Sequence, residues 1–108
     1  MAILNSRINP RDPAFAKNCA SMQAQVDDLR RQVDIVRQGG GKKACDRHTE
    51  RGKLLPRERL NALLDPGSGF LELSQLAAHE VYEHPVPSAG IITGIGRVSG
   101  QECMIFVN

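Results

Sequence analysis

From Phe15 onward, apolar side chains recur at alternating spacings of four and three: Phe15, Cys19, Met22, Val26, Leu29, Val33 and Val36. That spacing keeps them on one side of a helix as a continuous seam. Asp12-Pro13 supplies the start, with a carboxylate to cap free N–H groups and a proline in the first turn, where a missing N–H costs nothing. Gly39-Gly40-Gly41 supplies the stop. The predicted helix runs about 26 residues, or about 39 Å at 1.5 Å per residue. A compact domain of this size has a radius of gyration of about 13 Å, so the seam is expected to pack on surface beyond these 108 residues. Burial against its own protein is favoured over a free-standing coiled coil, because the seam only just reaches three heptads.

The pattern then shortens and changes period. Lys42 to Arg51 reads as a short polar helix ended by Gly52, and Pro56 opens a third helix with Leu60, Leu63 and Leu64 on one face. Asp65-Pro66-Gly67-Ser68 is a turn. Beyond it the periodicity is extended, with a strand at Phe70-Leu71-Glu72-Leu73 and a longer one over 89–98, separated by a loop holding Pro85 and Pro87. Ser99-Gly100 predicts a hairpin turn into a returning strand, Cys103 to Val107. Met104-Ile105-Phe106-Val107 is apolar in both alternating sets, as in strands covered on two faces. With Asn108 following, such a strand is expected to need a neighbour, and the chain is expected to be the opening piece of a larger unit. Helices followed by sheet give an α+β fragment.

Composition tightens this picture. There is no Trp, one Tyr and three Phe, so aliphatic packing must supply the core, and such a core is marginal alone. Three cysteines, Cys19, Cys45 and Cys103, widely spaced and odd in number, are expected to be reduced thiols in a bacterial cytoplasm. No stretch approaches the length of a membrane span, and no Arg/Ser-rich leader is read at the start. The formal charge of +2 conceals a local excess: between Arg37 and Arg59, eight Lys/Arg face Asp46, Glu50 and Glu58. An anionic partner is a modest inference from that patch. Nucleic acid is not implied, since neither an aromatic stacking platform nor a helix-turn-helix pattern accompanies it.

Few residues carry candidate chemistry. Cys45 and His48 could touch one metal ion, but His79, His84, Cys19 and Cys103 stand at no ligand spacing, and no metal site is assigned. Cys45 lacks a His/Asn arrangement and is assigned no catalytic role. Gly90, Gly94, Gly96 and Gly100 form no GxGxxG, and glycines within a strand instead mark a close backbone approach. Arg47-His48-Thr49-Glu50-Arg51-Gly52-Lys53, followed by Arg57 and Arg59, is the densest polar cluster. It reads either as a solvated, ion-paired helical surface or as a phosphate contact through Arg51, Lys53 and Arg57.

The same cluster carries a resemblance. Gly39-Gly40-Gly41, Arg47 to Leu54, Arg57-Glu58-Arg59-Leu60 and Leu63-Leu64-Asp65-Pro66-Gly67-Ser68 resemble, in order and spacing, the start of carboxyltransferase (beta) subunits of biotin-dependent acyl-CoA carboxylases. Phe70 to Ser74, Ala77 to Tyr82, Ala89 to Val98 and Ile8 to Pro13 are more similar to the methylcrotonoyl-CoA branch than to the propionyl-CoA branch, with geranyl-CoA carboxylase a near relative. Cys45 departs from the charged or small residue expected there.

The resemblance implies a crotonase-like α/β fold of stacked ββα units. Residues 1–38 would be an amino-terminal helix and 39–108 the beginning of the carboxyltransferase domain. It implies carboxyl transfer from carboxybiotin to the γ-carbon of 3-methylcrotonoyl-CoA, in leucine breakdown. The carboxybiotin is carried by a partner alpha subunit, and this segment binds no cofactor directly. Beta subunits associate with one another, and the acyl-CoA phosphates would be candidates for Arg51, Lys53 and Arg57. No catalytic residue is implied here, because the family's oxyanion-binding, glycine-rich turns follow this stretch. The segment alone is therefore expected to be inactive. The alternatives are a propionyl- or geranyl-CoA carboxylase subunit, or a non-catalytic helical assembly module.

Overall fold

A computed structural model describes residues 3–108, so Met1 and Ala2, where the reading of a leader begins, lie outside the described residues. The elements in order are α1 (Pro13–Arg37), α2 (Lys42–Thr49), α3 (Pro56–Leu63), β1 (Phe70–Leu73), a single tight turn at Pro87–Gly90, β2 (Ile92–Val98) and β3 (Gln101–Val107). Two compact units are distinguished, the first ending at Arg31 and the second being Gln32–Asn108.

Helix α1 starts as its sequence predicts: the Ala14 N–H donates to Asp12 Oδ1 at 2.8 Å, which satisfies one of the unpaired donors of the first turn. It holds 25 residues, none of them buried. Along the seam, Met22 and Leu29 are exposed, and Val26, Val33 and Val36 are half-buried. Its polar surface carries local ion pairs, Arg31 with Asp28 and Arg37 with Asp34.

In the second unit, glycine at positive φ sets the helix boundaries. Gly41 (φ 84) precedes α2 and Gly52 (φ 72) follows it, with the Gly52 N–H donating to the Thr49 carbonyl at 2.8 Å. Helix α3 opens on Pro56, and Glu58 reaches back to accept the Leu55 N–H at 2.7 Å. It ends before Asp65-Pro66, since a residue preceding proline is pushed out of helical conformation.

The three strands form one antiparallel sheet in the order β1-β2-β3. Phe70 pairs with Gly96 and Leu73 with Thr93; Ile92 pairs with Val107 and Val98 with Gln101. Ser99 (φ 51) and Gly100 (φ 78) both lie at positive φ, the two-residue hairpin turn whose twist suits the flanking strands. Asp65 clamps that turn: its two carboxylate oxygens accept the Ser99 N–H at 2.6 Å and the Gly100 N–H at 2.8 Å. The Asp65 N–H donates to the Arg97 carbonyl at 2.9 Å, so the α3–β1 connection is fastened to the hairpin three ways.

The core lies between α3 and one face of the sheet. Leu60, Ile92, Ile105 and Val107 are buried, with Leu64, Phe70, Val98 and Cys103 packed around them. Burying each such aliphatic side chain stabilises by about 1.5–3 kcal/mol. Gly94 and Gly96 make room for it, since a Cβ on Gly94 would run into the Phe70 ring and the Leu71 carbonyl, and one on Gly96 into Leu64 and Phe70. This is the close approach that their position in a strand predicts.

Two expectations are corrected. The strand predicted over 89–98 begins only at Ile92, because Ser88 (φ 50) and Ala89 (φ 53) adopt left-handed conformations that no strand contains. Leu63 does not share the core with Leu60 and Leu64: it is exposed, since an eight-residue helix turns just one stripe to the sheet. Strand β3, apolar in both alternating sets, has one face covered and the other open, in line with its expected need of a neighbour: Ile105 and Val107 are buried, while Met104 and Phe106 are exposed.

Candidate functional site

The best-built polar feature joins α3 to β1. Phe70 and Glu72 point to the same side of β1, so Glu72 is carried inward among apolar neighbours, where a lone carboxylate would be costly. Arg57 supplies the charge partner in a two-pronged contact, its Nη1 donating to Oε2 at 2.9 Å and its Nη2 to Oε1 at 2.8 Å. Gln75 Nε2 adds a third donor at 3.1 Å. The Glu72 side chain is 8% exposed and that of Arg57 30%. The Arg57 hydrogen bonds, assisted by Gln75 and opposed by burial, hold the Glu72 carboxyl below the usual range. Further along, Ser88 Oγ donates to the Gln75 carbonyl at 3.1 Å and the Ala89 N–H to the Ala77 carbonyl at 3.0 Å, which ties the 74–90 segment into the same network.

Arg57 is thus placed quite differently from Arg51 and Lys53, with which the sequence groups it. Its guanidinium fork is occupied by a carboxylate fifteen residues downstream, whereas Arg51 and Lys53 are exposed in the connection after α2. Nor are Glu50 and Glu58 the acids that engage the basic cluster: Glu58 caps α3 and Glu50 forms no ion pair among the described residues. The sequence reading missed Glu72, although an acidic residue at an inward position of an otherwise apolar strand signals a buried partner. It also missed that Lys43, Arg47 and Arg51 recur every four residues along α2 and its end. On α2 the one intrahelical ion pair joins Lys42 to Asp46, at 2.6 Å.

A cleft of about 310 Å3 opens beside the pair, lined mainly by apolar atoms of Val36, Leu55, Ile91, Ile92 and Val107, with Cys45 and Arg57 on its walls. Cys45 Sγ contacts the Gln38 carbonyl at 3.7 Å. His48 is held locally by the Leu54 carbonyl, 3.1 Å from Nε2. His79 lies 3.8 Å from Glu80. Among the described residues no three His, Cys, Asp or Glu side chains converge as a metal site would require. What the described residues build here is a positioned backbone with exposed cations beside it.

The family model described as the carboxyl transferase domain matches residues 47–108, the stretch holding α3, the Arg57–Glu72 pair and the whole sheet. The chain is 50% identical over 108 residues to the mitochondrial methylcrotonoyl-CoA carboxylase beta chain of Arabidopsis thaliana, covering all of this chain and 18% of that one. It is 51% identical over 107 residues to the probable mitochondrial methylcrotonoyl-CoA carboxylase beta chain of Drosophila melanogaster, covering 98% and 18%. Among solved structures, the beta subunit of geranyl-CoA carboxylase from P. aeruginosa superposes with a TM-score of 0.78 at 36% identity, over 95% of this chain and 19% of that one. The chain therefore spans about a fifth of the length of the relatives it matches. Helices followed by an antiparallel sheet are an architecture shared with that structure, and the chain belongs to the carboxyl transferase domain family.

Proposed function

We propose that these residues form the amino-terminal scaffold of the carboxyltransferase subunit of a biotin-dependent acyl-CoA carboxylase, which moves carboxyl from carboxybiotin to 3-methylcrotonoyl-CoA in leucine breakdown. The observation that carries the reading is the 50% identity to a methylcrotonoyl-CoA carboxylase beta chain across all 108 residues, against 36% to the geranyl-CoA carboxylase structure. In this reading residues 1–38 are an entry helix, residues 39–108 open a crotonase-like domain, and the biotin arrives on a partner alpha subunit. Beta subunits associate with one another. Three free thiols among the described residues suit a reducing compartment, the bacterial cytoplasm.

The chain's own part is mechanical. The Asp65 clamp and the Arg57–Glu72 pair fix the sheet against α3, so that donors elsewhere in the subunit can meet developing oxyanions without reorganising. The test is carboxylation of 3-methylcrotonoyl-, geranyl- and propionyl-CoA by the subunit containing this sequence, with free biotin and its carboxylating partner. Preference for the methylcrotonoyl thioester is expected. Preference for either other substrate would overturn the branch, and turnover by the 108-residue chain alone would overturn the scaffold role.

A further inference from the structure

The cation row on α2 has no counterpart in that scaffold role. Lys43 and Arg47 are one turn apart on an eight-residue helix, Arg51 follows at the same spacing, and Lys53 lies just beyond Gly52. Like charges four residues apart repel and weaken a short helix. Acids could relieve them, yet Asp46 is taken by Lys42 at 2.6 Å, and no ion pair among the described residues involves Lys43, Arg47, Arg51 or Lys53. Glu50 and Asp46 share a shallow depression with Lys42, Lys43 and Arg47, so the row keeps a clear positive excess. Lys43, Arg47, Arg51 and Lys53 are all exposed, while Cys45 and His48 are the half-buried residues of the same stretch. Unpaired cations at regular intervals on a surface that packs nothing suit a ligand with several separate phosphates, to which Arg offers a fork and Lys a point charge.

We infer that Lys43, Arg47 and Arg51, with Lys53 at the end of the row, form a phosphate-binding surface for the 3′-phosphate and diphosphate of coenzyme A. This rests on the acyl-CoA reading above and moves the phosphate contact off Arg57, whose fork is already filled by Glu72. The row needs no rearrangement of the core to act, because each member is on the surface of α2 or the turn after it.

The test is calorimetric titration of CoA into the complete subunit containing this sequence at low and at physiological salt, repeated with dephospho-CoA and with inorganic pyrophosphate as competitor. The triple variant Lys43→Gln, Arg47→Gln, Arg51→Gln keeps good helix formers and is checked by circular dichroism. Arg30→Gln with Arg31→Gln removes cations from α1 as a control. We expect the triple variant to weaken CoA binding by about tenfold, the control to leave it unchanged, and salt to erode it. Pyrophosphate competition with weaker dephospho-CoA binding assigns the row to both phosphate groups; competition with equal binding assigns it to the diphosphate. CoA affinity unchanged in the triple variant, an equal loss in the control, or no CoA binding by the wild-type subunit would overturn the inference. The function reading fails separately, by absence of methylcrotonoyl-CoA carboxylation in the complete subunit, whatever the row binds.

Discussion

The two faces of the sheet are built from the same strands and similar side chains, yet only one is a core. On the inner face Ile92, Ile105 and Val107 are 7–9% exposed beneath Leu60, whereas on the outer face Leu71, Met104 and Phe106 are 52–64% exposed. Leu71, Ile95 and Met104 stand side by side across the three strands, and Thr93 pairs with Phe106, so the outer residues form a continuous apolar band. Hydrophobicity therefore does not decide which face is buried. The placement of α3 does, through the Asp65 clamp at one end and Arg59 Nη1 bonded to the Asn108 carbonyl at 3.0 Å at the other. A band of this kind is unusual on a free surface and marks interaction or aggregation.

The strongest way to break the contrast is to fill the inner face. Gly94→Val would drive a branched side chain into the Phe70 ring and the Leu71 carbonyl, contacts that cannot yield without separating β1 from β2. Cooperative unfolding of the second unit should disappear in urea titrations followed by circular dichroism. The milder Ile105→Ala should cost about 2–5 kcal/mol, the range for deleting a buried aliphatic side chain. A loss below about 1 kcal/mol would mean that the inner face is not the core, against the general cost of a cavity.

The Arg57–Glu72 pair sharpens the comparison, because the inner face tolerates a charge only with its partner. Glu72→Gln should destabilise by about 1–3 kcal/mol, since it leaves the Arg57 fork half satisfied. The effect should depend on pH with a definite sign. The folded-state Glu72 pKa is lowered, chiefly by the Arg57 hydrogen bonds, so the folded state holds the proton less tightly than the unfolded chain. The pair's contribution is then fully present above the ordinary glutamate pKa and fades as pH falls below it toward the lowered value. Wild type and Glu72→Gln should converge in stability on acidification. A gap that stays constant from neutral pH to well below the glutamate range would contradict the pair's role.

Local elements were legible because local chemistry encodes them. Asp12-Pro13, Gly41, Gly52, Pro56 and Ser99-Gly100 each impose a backbone state by themselves, and each stands where an element begins or ends. What could not be read depended on residues far apart in sequence. Arg57 lies beside Glu58 in the chain but bonds Glu72, a choice made by the register of β1 against α3. Met104 and Ile105 are equally apolar, and the three-dimensional placement of Leu60 separates them. Strand propensity over 89–91 yields to the turn at Pro87–Gly90, whose Ala89 N–H is bonded to Ala77. The cation row was visible all along as a spacing of four, but only the absence of partners gave it meaning.

The smallest expected effect lies on the outer face and tests the comparison most directly. Phe106→Thr exchanges one good strand former for another, keeps the backbone pairing with Thr93, and removes an exposed ring from the middle of the apolar band. Because that ring is 64% exposed, its loss removes little buried area, and stability should change by no more than about 0.5 kcal/mol. Self-association should fall, because less apolar surface is offered to a second molecule, and sedimentation at rising concentration would show it. If Phe106→Thr instead cost as much as Ile105→Ala, something would have to cover the outer face in solution. The two faces would then be two cores, and the asymmetry set by α3 would not govern burial.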